Sequence, residues 1–347
     1  MRRVLLPHHI TEYPAPIDGV IVACDGVSMG TTWSVRLVAP DAAAQQRLHQ
    51  GLQQQLDRIV AQMSHWQADS ELARFNGAPA GSWHTLAPAF FDVLSFALDV
   101  ARDSGGAYDP AAGALVNLWG FGPTQRFDEA GFRAPDEAAV AALLVRRATL
   151  DVDVRTRRVR QPGGLLLDLS SVAKGYAVDS LSRYLERNHI IHYLVEVGGE
   201  LRGAGVKPDG QPWWVALEPV GDVAPVAPDY RVGAVAPAPD EMVLALHGLA
   251  VATSGDYRRY FTRDGRRFSH TIDPRSGQPI RHGLASVTVV HAECMAADAW
   301  STALTVLGPE HGLALAERRG LAARFLLRDG DGARELLSSA LRRMLDA

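Results

Sequence analysis

The sequence predicts an α+β protein, and three stretches carry that prediction. Residues 32–38 alternate polar and apolar side chains with the two-residue period of a half-buried strand. Residues 41–64 place Leu48, Leu52, Leu56, Ile59, Val60 and Met63 near helical spacing, as a scaffold helix does. A series of apolar strand segments between His192 and Val290 then delivers the chain to a helical stretch at 296–304. At 347 residues the chain is either one large domain or two intimately packed lobes.

Composition excludes several classes. A net charge of -4 gives no electrostatic reason to expect nucleic acid. Cys24 and Cys294 are too few for a disulfide scaffold and are not spaced as metal ligands. The start, Met1 to Ile10, is basic, but its apolar run is short and broken by Pro7 and two histidines, so no export signal is expected. No stretch approaches the roughly 18 apolar residues of a membrane span. The expectation is a cytoplasmic protein, or a periplasmic one if the true start lies upstream.

Residues 1–24 contain Pro7, Pro14 and Pro16 and read as an irregular lead-in to a domain covering 25–347. Ser28-Met29-Gly30-Thr31 is a small-residue approach to the first strand, with Gly30 permitting close backbone contact. After the 41–64 helix, Asp69 or Ser70 is placed to cap a short helix that ends at Asn76. Trp66, in that turn, either stacks on a planar ring or packs. Residues 87–104 are apolar nearly all round, hence a buried helix, stopped by Gly105-Gly106. The glycines, prolines and aromatics from Ala107 to Pro123 make a shaped loop.

A surface helix at 135–146 and a strand pair at 148–152 and 158–161 follow. An apolar strand then runs from Gly163 into Asp168, and a helix begins at Ser170 or Ser171. A helix start offers free N–H groups and a positive dipole end, a natural phosphate site. Lys174, one turn in, is either a solvated lysine or points back toward an anion held there. Residues 192–197 form a buried strand ending in Gly198-Gly199, and 213–219 another. Residues 221–240 read as a flexible insertion, and 242–252 as strand.

Asp264-Gly265 marks a hairpin, and residues 269–279 pack His, Asp, Arg, two Pro and a Gly into an ordered polar loop. His270 suits general acid or base work by type, since imidazole titrates near neutrality. Beyond a strand at 286–290, Asp298 and Thr302 lie four apart and stack on one helix face. A carboxylate over a hydroxyl can hold Mg²⁺, though two oxygens do not complete its shell. The alternative is a solvated Asp and a Thr bonded back to its own helix. Helical residues 313–319, a strand at 322–328 and a helix at 338–345 close the chain.

These motifs together resemble the FAD:protein FMN transferase, or ApbE, family. The resemblance runs through Met29-Gly30-Thr31, the 63–76 segment, Ala107-Tyr108-Asp109-Pro110, Leu118-Trp119-Gly120-Phe121-Gly122 and the Asp168–Gly175 run. It continues through Val197-Gly198-Gly199-Glu200, Thr253-Ser254-Gly255-Asp256-Tyr257, the His270–Gly277 run and Ala297-Asp298-Ala299-Trp300-Ser301-Thr302. The family implies a T-fold-like α+β architecture of two packed lobes with a flavin cleft between them.

It implies that FAD is split at its pyrophosphate, FMN joined by a phosphoester to a Thr or Ser hydroxyl of an acceptor flavoprotein, and AMP released. Asp298, Thr302 and the Ser171 carbonyl match the family's Mg²⁺ ligands. Met29, Trp66, Ala107, Tyr108, Asp109, Asp168, Lys174 and Thr271 match its flavin or adenine contacts. His270 matches the base for the acceptor hydroxyl. Trp66 replaces a tyrosine common in relatives, and 221–240 is longer than usual. Two other activities suit the same residues: FAD pyrophosphatase, giving FMN and AMP, or a non-catalytic FAD carrier.

Overall fold

Trp33, Val35 and Leu37 alternate along the strand Thr31–Ala39, and all three are fully buried. They face the helix Ala44–Met63, whose Gln53 accepts a hydrogen bond from the Trp33 indole at 3.0 Å. In this computed structural model every residue is described except 1–2, 9, 11–13, 15, 17–18, 40–43, 146–148, 218–241, 257–258, 264, 330–331 and 346–347. The expected insertion at 221–240, and Asp264 of the expected turn, lie outside the described residues.

The chain forms two compact units. The first comprises Met1–Leu56, Lys174–Arg258 and Gly283–Ala347. Its eight-stranded sheet runs in the order Gly332–Leu337, Ala322–Asp329, Leu284–His291, Leu249–Gly255, Glu200–Ala204, Tyr193–Val197, Thr31–Ala39, Val20–Ser28. Each neighbouring pair is antiparallel. The helix Cys294–Arg319 lies against it. Val38, Leu194, Leu201, Val251 and Val290 belong to a core shared with a three-stranded sheet and the helix Ser339–Leu345. The central strand Tyr193–Val197 is buried at every position, as a strand covered on both faces must be.

The second unit comprises Asp57–Ala173 and Arg259–His282. The helix Pro88–Asp103 buries Phe90, Phe91, Val93 and Leu94. A smaller core joins Leu115, Trp119, Phe121, Val140 and Ile272, with Phe127, Phe261 and Phe268 packed against it. The expected hairpin forms between Tyr260–Arg263 and Arg266–Ser269, with Arg263 paired with Arg266 and Gly265 at φ 70°.

Four expectations are corrected. The 1–24 lead-in carries a strand, Arg3–Leu5, and the first residues of another, Val20–Ser28. Arg3–Leu5 is held by parallel pairing to Met242–Leu246, a partner distant in sequence that no local pattern reveals. The single strand expected at 242–252 is two, Met242–Leu246 and Leu249–Gly255, in different sheets and separated by Gly248 at φ 72°. The apolar run into Asp168 makes no strand ladder; it has one isolated bridge, Ala112 with Leu166. The helix after it starts at Ala173 rather than at Ser170 or Ser171.

Candidate active site

Two helix starts in the first unit cap each other. Asp298, buried on the helix Cys294–Arg319, accepts the Gly175 N–H through Oδ2 at 2.9 Å. Asp179, on the helix Ala173–Arg187, accepts the N–H groups of Cys294 at 3.0 Å and Met295 at 2.9 Å. These bonds satisfy N–H groups that a helix start leaves without partners, and each carboxylate sits at a positive dipole end. The helices meet at Gly175, where an added Cβ would stand 2.4 Å from the Cys294 carbonyl oxygen and 2.8 Å from Asp298 Cβ. Only glycine fits there. Asp179 is also ion-paired with Arg202 at 2.6 Å.

Thr302 lies one turn beyond Asp298. Its hydroxyl is 2.9 Å from Ser254 Oγ, which is also 2.8 Å from Ser301 Oγ. Hydroxyls from a strand and a helix thus gather beside a buried carboxylate. The reading of Asp298 as a solvated residue is overturned, since burial and the Gly175 bond fix it. Lys174 is ion-paired with the buried Glu200. Glu200 Oε2 is buried without a hydrogen-bond partner. Glu196 lies in the same fold of chain; burial pushes its carboxyl up from the usual range, and Glu200 adds to the effect. Met29 holds a left-handed backbone at φ 52°, followed by Gly30 at φ 72°, so the turn before Thr31 is tightly set. The Cys294 thiol is raised well above its ordinary value by burial, with Asp179, Glu200 and Asp298 adding to the effect.

In the second unit, Ser70 caps the helix Glu71–Asn76 by accepting from the Ala73 N–H at 2.9 Å. Asn76, at its end, holds both backbone groups of Leu167: it donates to the carbonyl at 2.9 Å and accepts from the N–H at 2.8 Å. Gln161, fully buried, accepts from Gly163 and Leu165 and donates to Phe75 and Leu165 carbonyls. Two side-chain amides therefore do for residues 163–167 what a neighbouring strand does elsewhere. That segment presents Asp168, whose Oδ1 accepts the Ser170 N–H at 2.8 Å and lies 3.5 Å from His65 Nδ1.

Tyr108 is buried with Ala107, and its hydroxyl is 3.2 Å from Ser171 Oγ. Asp109 accepts the Ala111 N–H at 2.9 Å. Trp66 is 49 % exposed, with the Arg126 guanidinium 5.8 Å from its ring centre. Packing into a core is ruled out for that ring; a stacking face remains. His270 Nδ1 lies 2.9 Å from the Arg259 carbonyl oxygen. A carbonyl only accepts, so Nδ1 carries the proton and a neutral ring keeps its lone pair on Nε2. Thr271 is buried, its N–H bonded to Ser269 Oγ and its carbonyl to the Ile280 N–H.

The expected residues thus divide between the units. Met29, Lys174, Asp298 and Thr302 belong to the first; Trp66, Ala107, Tyr108, Asp109, Asp168, Ser171, His270 and Thr271 to the second. Within the first, Gly175 ties the helix of Lys174 to Asp298. Within the second, Tyr108 meets Ser171. Sequence reading singled out none of Asn76, Gln161, Asp179, Glu200 and Ser254 for the site. Of these, Asn76, Glu200 and Ser254 stood inside quoted motifs, which was the signal available. A surface cavity beside Leu118, Ala139, Leu143 and Leu166 contains none of the expected residues.

The chain is similar in sequence to the FAD:protein FMN transferase of Klebsiella pneumoniae (strain 342), with 37 % identity over 337 residues, 96 % of this chain and 91 % of that relative. It is 34 % identical over 330 residues to the enzyme of the same description from Escherichia coli (strain K12), covering 94 % of this chain and 89 % of the relative. In structure it resembles the Pseudomonas stutzeri flavinyl transferase ApbE in its apo form, with TM-score 0.82 and 39 % identity over 95 % of this chain and 98 % of that one. The flavin transferase ApbE from Vibrio cholerae matches with TM-score 0.81 and 33 % identity, covering 94 % and 99 %. The ApbE family model matches residues 29–325, and the chain belongs to the ApbE family. Among the described residues no helix is long and apolar enough to cross a membrane.

Proposed function

We propose that this protein is an FAD:protein FMN transferase, which joins FMN from FAD to a Thr or Ser hydroxyl of an acceptor flavoprotein and releases AMP. The observation that carries the reading is the buried Asp298 one turn before Thr302, fixed against the helix start that bears Lys174. Phosphoryl transfer needs positioning and charge neutralisation more than covalent help from the enzyme. The acceptor oxygen bonds to the FMN phosphorus as the bond to the AMP oxygen breaks. His270 Nε2 takes the hydroxyl proton, and Lys174 carries positive charge for the phosphates.

The donor set suits Mg²⁺, a hard cation that prefers oxygen. Among the described residues no group of three or more His, Cys, Asp or Glu gathers as a metal cage. Asp298 and Thr302 would therefore hold the ion with substrate oxygens completing its shell, and the Ser171 carbonyl is the third protein donor proposed. The ion would supply Lewis-acid polarisation of a phosphate oxygen. Met29, Trp66, Ala107, Tyr108, Asp109, Asp168 and Thr271 are the proposed flavin or adenine contacts.

The test is to incubate the protein with FAD, Mg²⁺ and candidate acceptor flavoproteins, and to read flavin fluorescence on denaturing gels with AMP by chromatography. A fluorescent acceptor band that disappears with chelator, or with Asp298→Asn, is the expected result. AMP release with no labelled acceptor makes the protein a pyrophosphatase. FAD bound but unconsumed makes it a carrier.

A further inference from the structure

Thr302 and Thr305 stand on the same helix, Cys294–Arg319, and spend their hydroxyl protons differently. Thr305 Oγ1 donates at 2.7 Å to the Ser301 carbonyl one turn back, the ordinary use of a threonine inside a helix. Thr302 Oγ1 instead lies 2.9 Å from Ser254 Oγ, on the strand Leu249–Gly255 that packs against the helix. Ser254 Oγ is also 2.8 Å from Ser301 Oγ, and Ser301 Oγ donates to the Asp298 carbonyl at 2.8 Å. Ser301 is fully buried, so water does not compete at that end of the series.

A hydroxyl has one proton to give and two lone pairs with which to receive. A carbonyl only accepts, so the Ser301 proton goes to Asp298. Ser301 Oγ must then be the acceptor toward Ser254, and that bond uses the one proton Ser254 has. Ser254 is in turn the acceptor toward Thr302. A single direction therefore makes every bond: Thr302 to Ser254, Ser254 to Ser301, Ser301 to the Asp298 carbonyl. The consequence falls on Thr302, whose proton is turned toward the strand and whose oxygen lone pairs are left for a cation. With the direction reversed, the Ser254 proton would occupy a Thr302 lone pair and the Thr302 proton would face the ion.

We propose that Ser254 is a positioning residue for the metal: by accepting the Thr302 hydrogen bond it presents Thr302 Oγ1 to Mg²⁺ as an acceptor oxygen. The proposal rests on the reading of Asp298 and Thr302 as cation ligands and adds the group that orients one of them. A partner behind a ligand fixes the ligand's orientation, and its loss lowers metal affinity by about 10–100-fold. Ser254 is held in place by its strand, paired with Val287. Its neighbour Thr253 alternates to the other side of the sheet, where its hydroxyl is 2.8 Å from that of Thr288. Hydroxyls one residue apart thus serve different ends: one ties strand to strand, the other ties the strand to a ligand.

The test uses the full chain and reads free Mn²⁺ by its paramagnetic resonance signal, with the metal alone and with ADP, so that no turnover is involved. Ser254→Ala is expected to weaken Mn²⁺ binding by roughly 10–100-fold, and Ser254→Thr, which keeps a hydroxyl, to restore most of it. Ser301→Ala is expected to weaken binding in the same direction but less, because it removes the acceptor for the Ser254 proton and leaves Thr302 Oγ1 untouched. Thr253→Val is expected to keep the wild-type affinity. In FAD turnover, Ser254→Ala is expected to need more Mg²⁺ for its half-maximal rate and to recover most of that rate when Mg²⁺ is saturating.

Unchanged Mn²⁺ affinity in Ser254→Ala, where Asp298→Asn loses it, overturns the proposal and leaves the metal reading standing. A loss in Ser254→Ala as complete as that in Asp298→Asn overturns it too, because Ser254 would then be a ligand itself. An equal loss in Thr253→Val assigns the effect to the strand and also overturns it. A wild-type protein that binds no Mn²⁺, with or without ADP, removes the Asp298 and Thr302 site and the proposal with it.

Discussion

The surroundings of Asp298 and of Trp66 differ in how much the fold has already decided. Asp298 is buried, bonded to a helix start, and held where even a methyl group on Gly175 would collide. Trp66 is half exposed, with one cation above its ring and no core around it. A buried carboxylate ties function to stability, because any change there also alters packing. An exposed ring can change affinity while leaving the fold alone. Substitutions at the two places should therefore separate in stability and activity, and that separation can be measured.

The strongest break lies behind Asp298. Asp179→Ala would leave Arg202 unpaired and two helix-start N–H groups without acceptors. Removing one partner of a buried ion pair costs about 3–5 kcal/mol. Urea unfolding should show the loss, and a midpoint near wild type would refute the view that the two helices are held by mutual caps.

Asp298→Asn separates the roles that Asp298→Ala would mix. The amide oxygen still accepts from Gly175, so the melting temperature should stay near wild type. Removing the charge should lower FMN transfer by roughly 10²–10³-fold, the scale for losing one group that stabilises developing charge. A variant with normal turnover would remove Asp298 from the chemistry.

Asn76→Ala tests the amide that replaces a strand. Both Leu167 backbone groups would lose their partner, at a cost of about 1–3 kcal/mol. Hydrogen exchange at Leu167 and Asp168 should rise before the rest of the second unit is affected. Unchanged protection there would show that Gln161 suffices.

On the exposed side, Trp66→Ala should shift stability by less than about 0.5 kcal/mol. FAD affinity should fall by about tenfold, in line with the worth of an aromatic contact. Flavin fluorescence titration reads it, and Trp66→Tyr should restore most of the loss.

The smallest effect concerns Glu196. Its folded-state pKa is raised, so the native state holds the proton more tightly than the unfolded chain and stability falls as pH rises through that window. Glu196→Gln should therefore have a higher melting temperature than wild type at neutral pH. The difference should vanish as pH drops below the ordinary glutamate value. A constant difference across pH would exclude titration as its cause.

Much of this was legible along the chain. The Asp298 and Thr302 spacing, the Ser70 cap, the buried helix Pro88–Asp103 and the Gly265 turn each depend on neighbours within a few residues. Patterns of that range survive in any fold that uses the element. The run into Asp168 reads as strand in the sequence yet forms none, because its apolar residues look alike whether a strand or two amides hold them. Sequence alone leaves Trp66 open between stacking and packing for a related reason: a ring in a turn does not reveal what surrounds it.

The sequence by itself determined most of the elements, the α+β class and the residue types capable of phosphate and metal chemistry, since propensity, periodicity and donor chemistry are local properties. Only the tertiary structure decided that Asp179 and Asp298 cap each other's helices, that Arg3–Leu5 pairs with Met242–Leu246, and that Asn76 supports Leu167. Each of those contacts joins residues some 90 to 240 positions apart. They exist because buried N–H and C=O groups must find partners wherever the folded chain brings them, and no local pattern says where that will be.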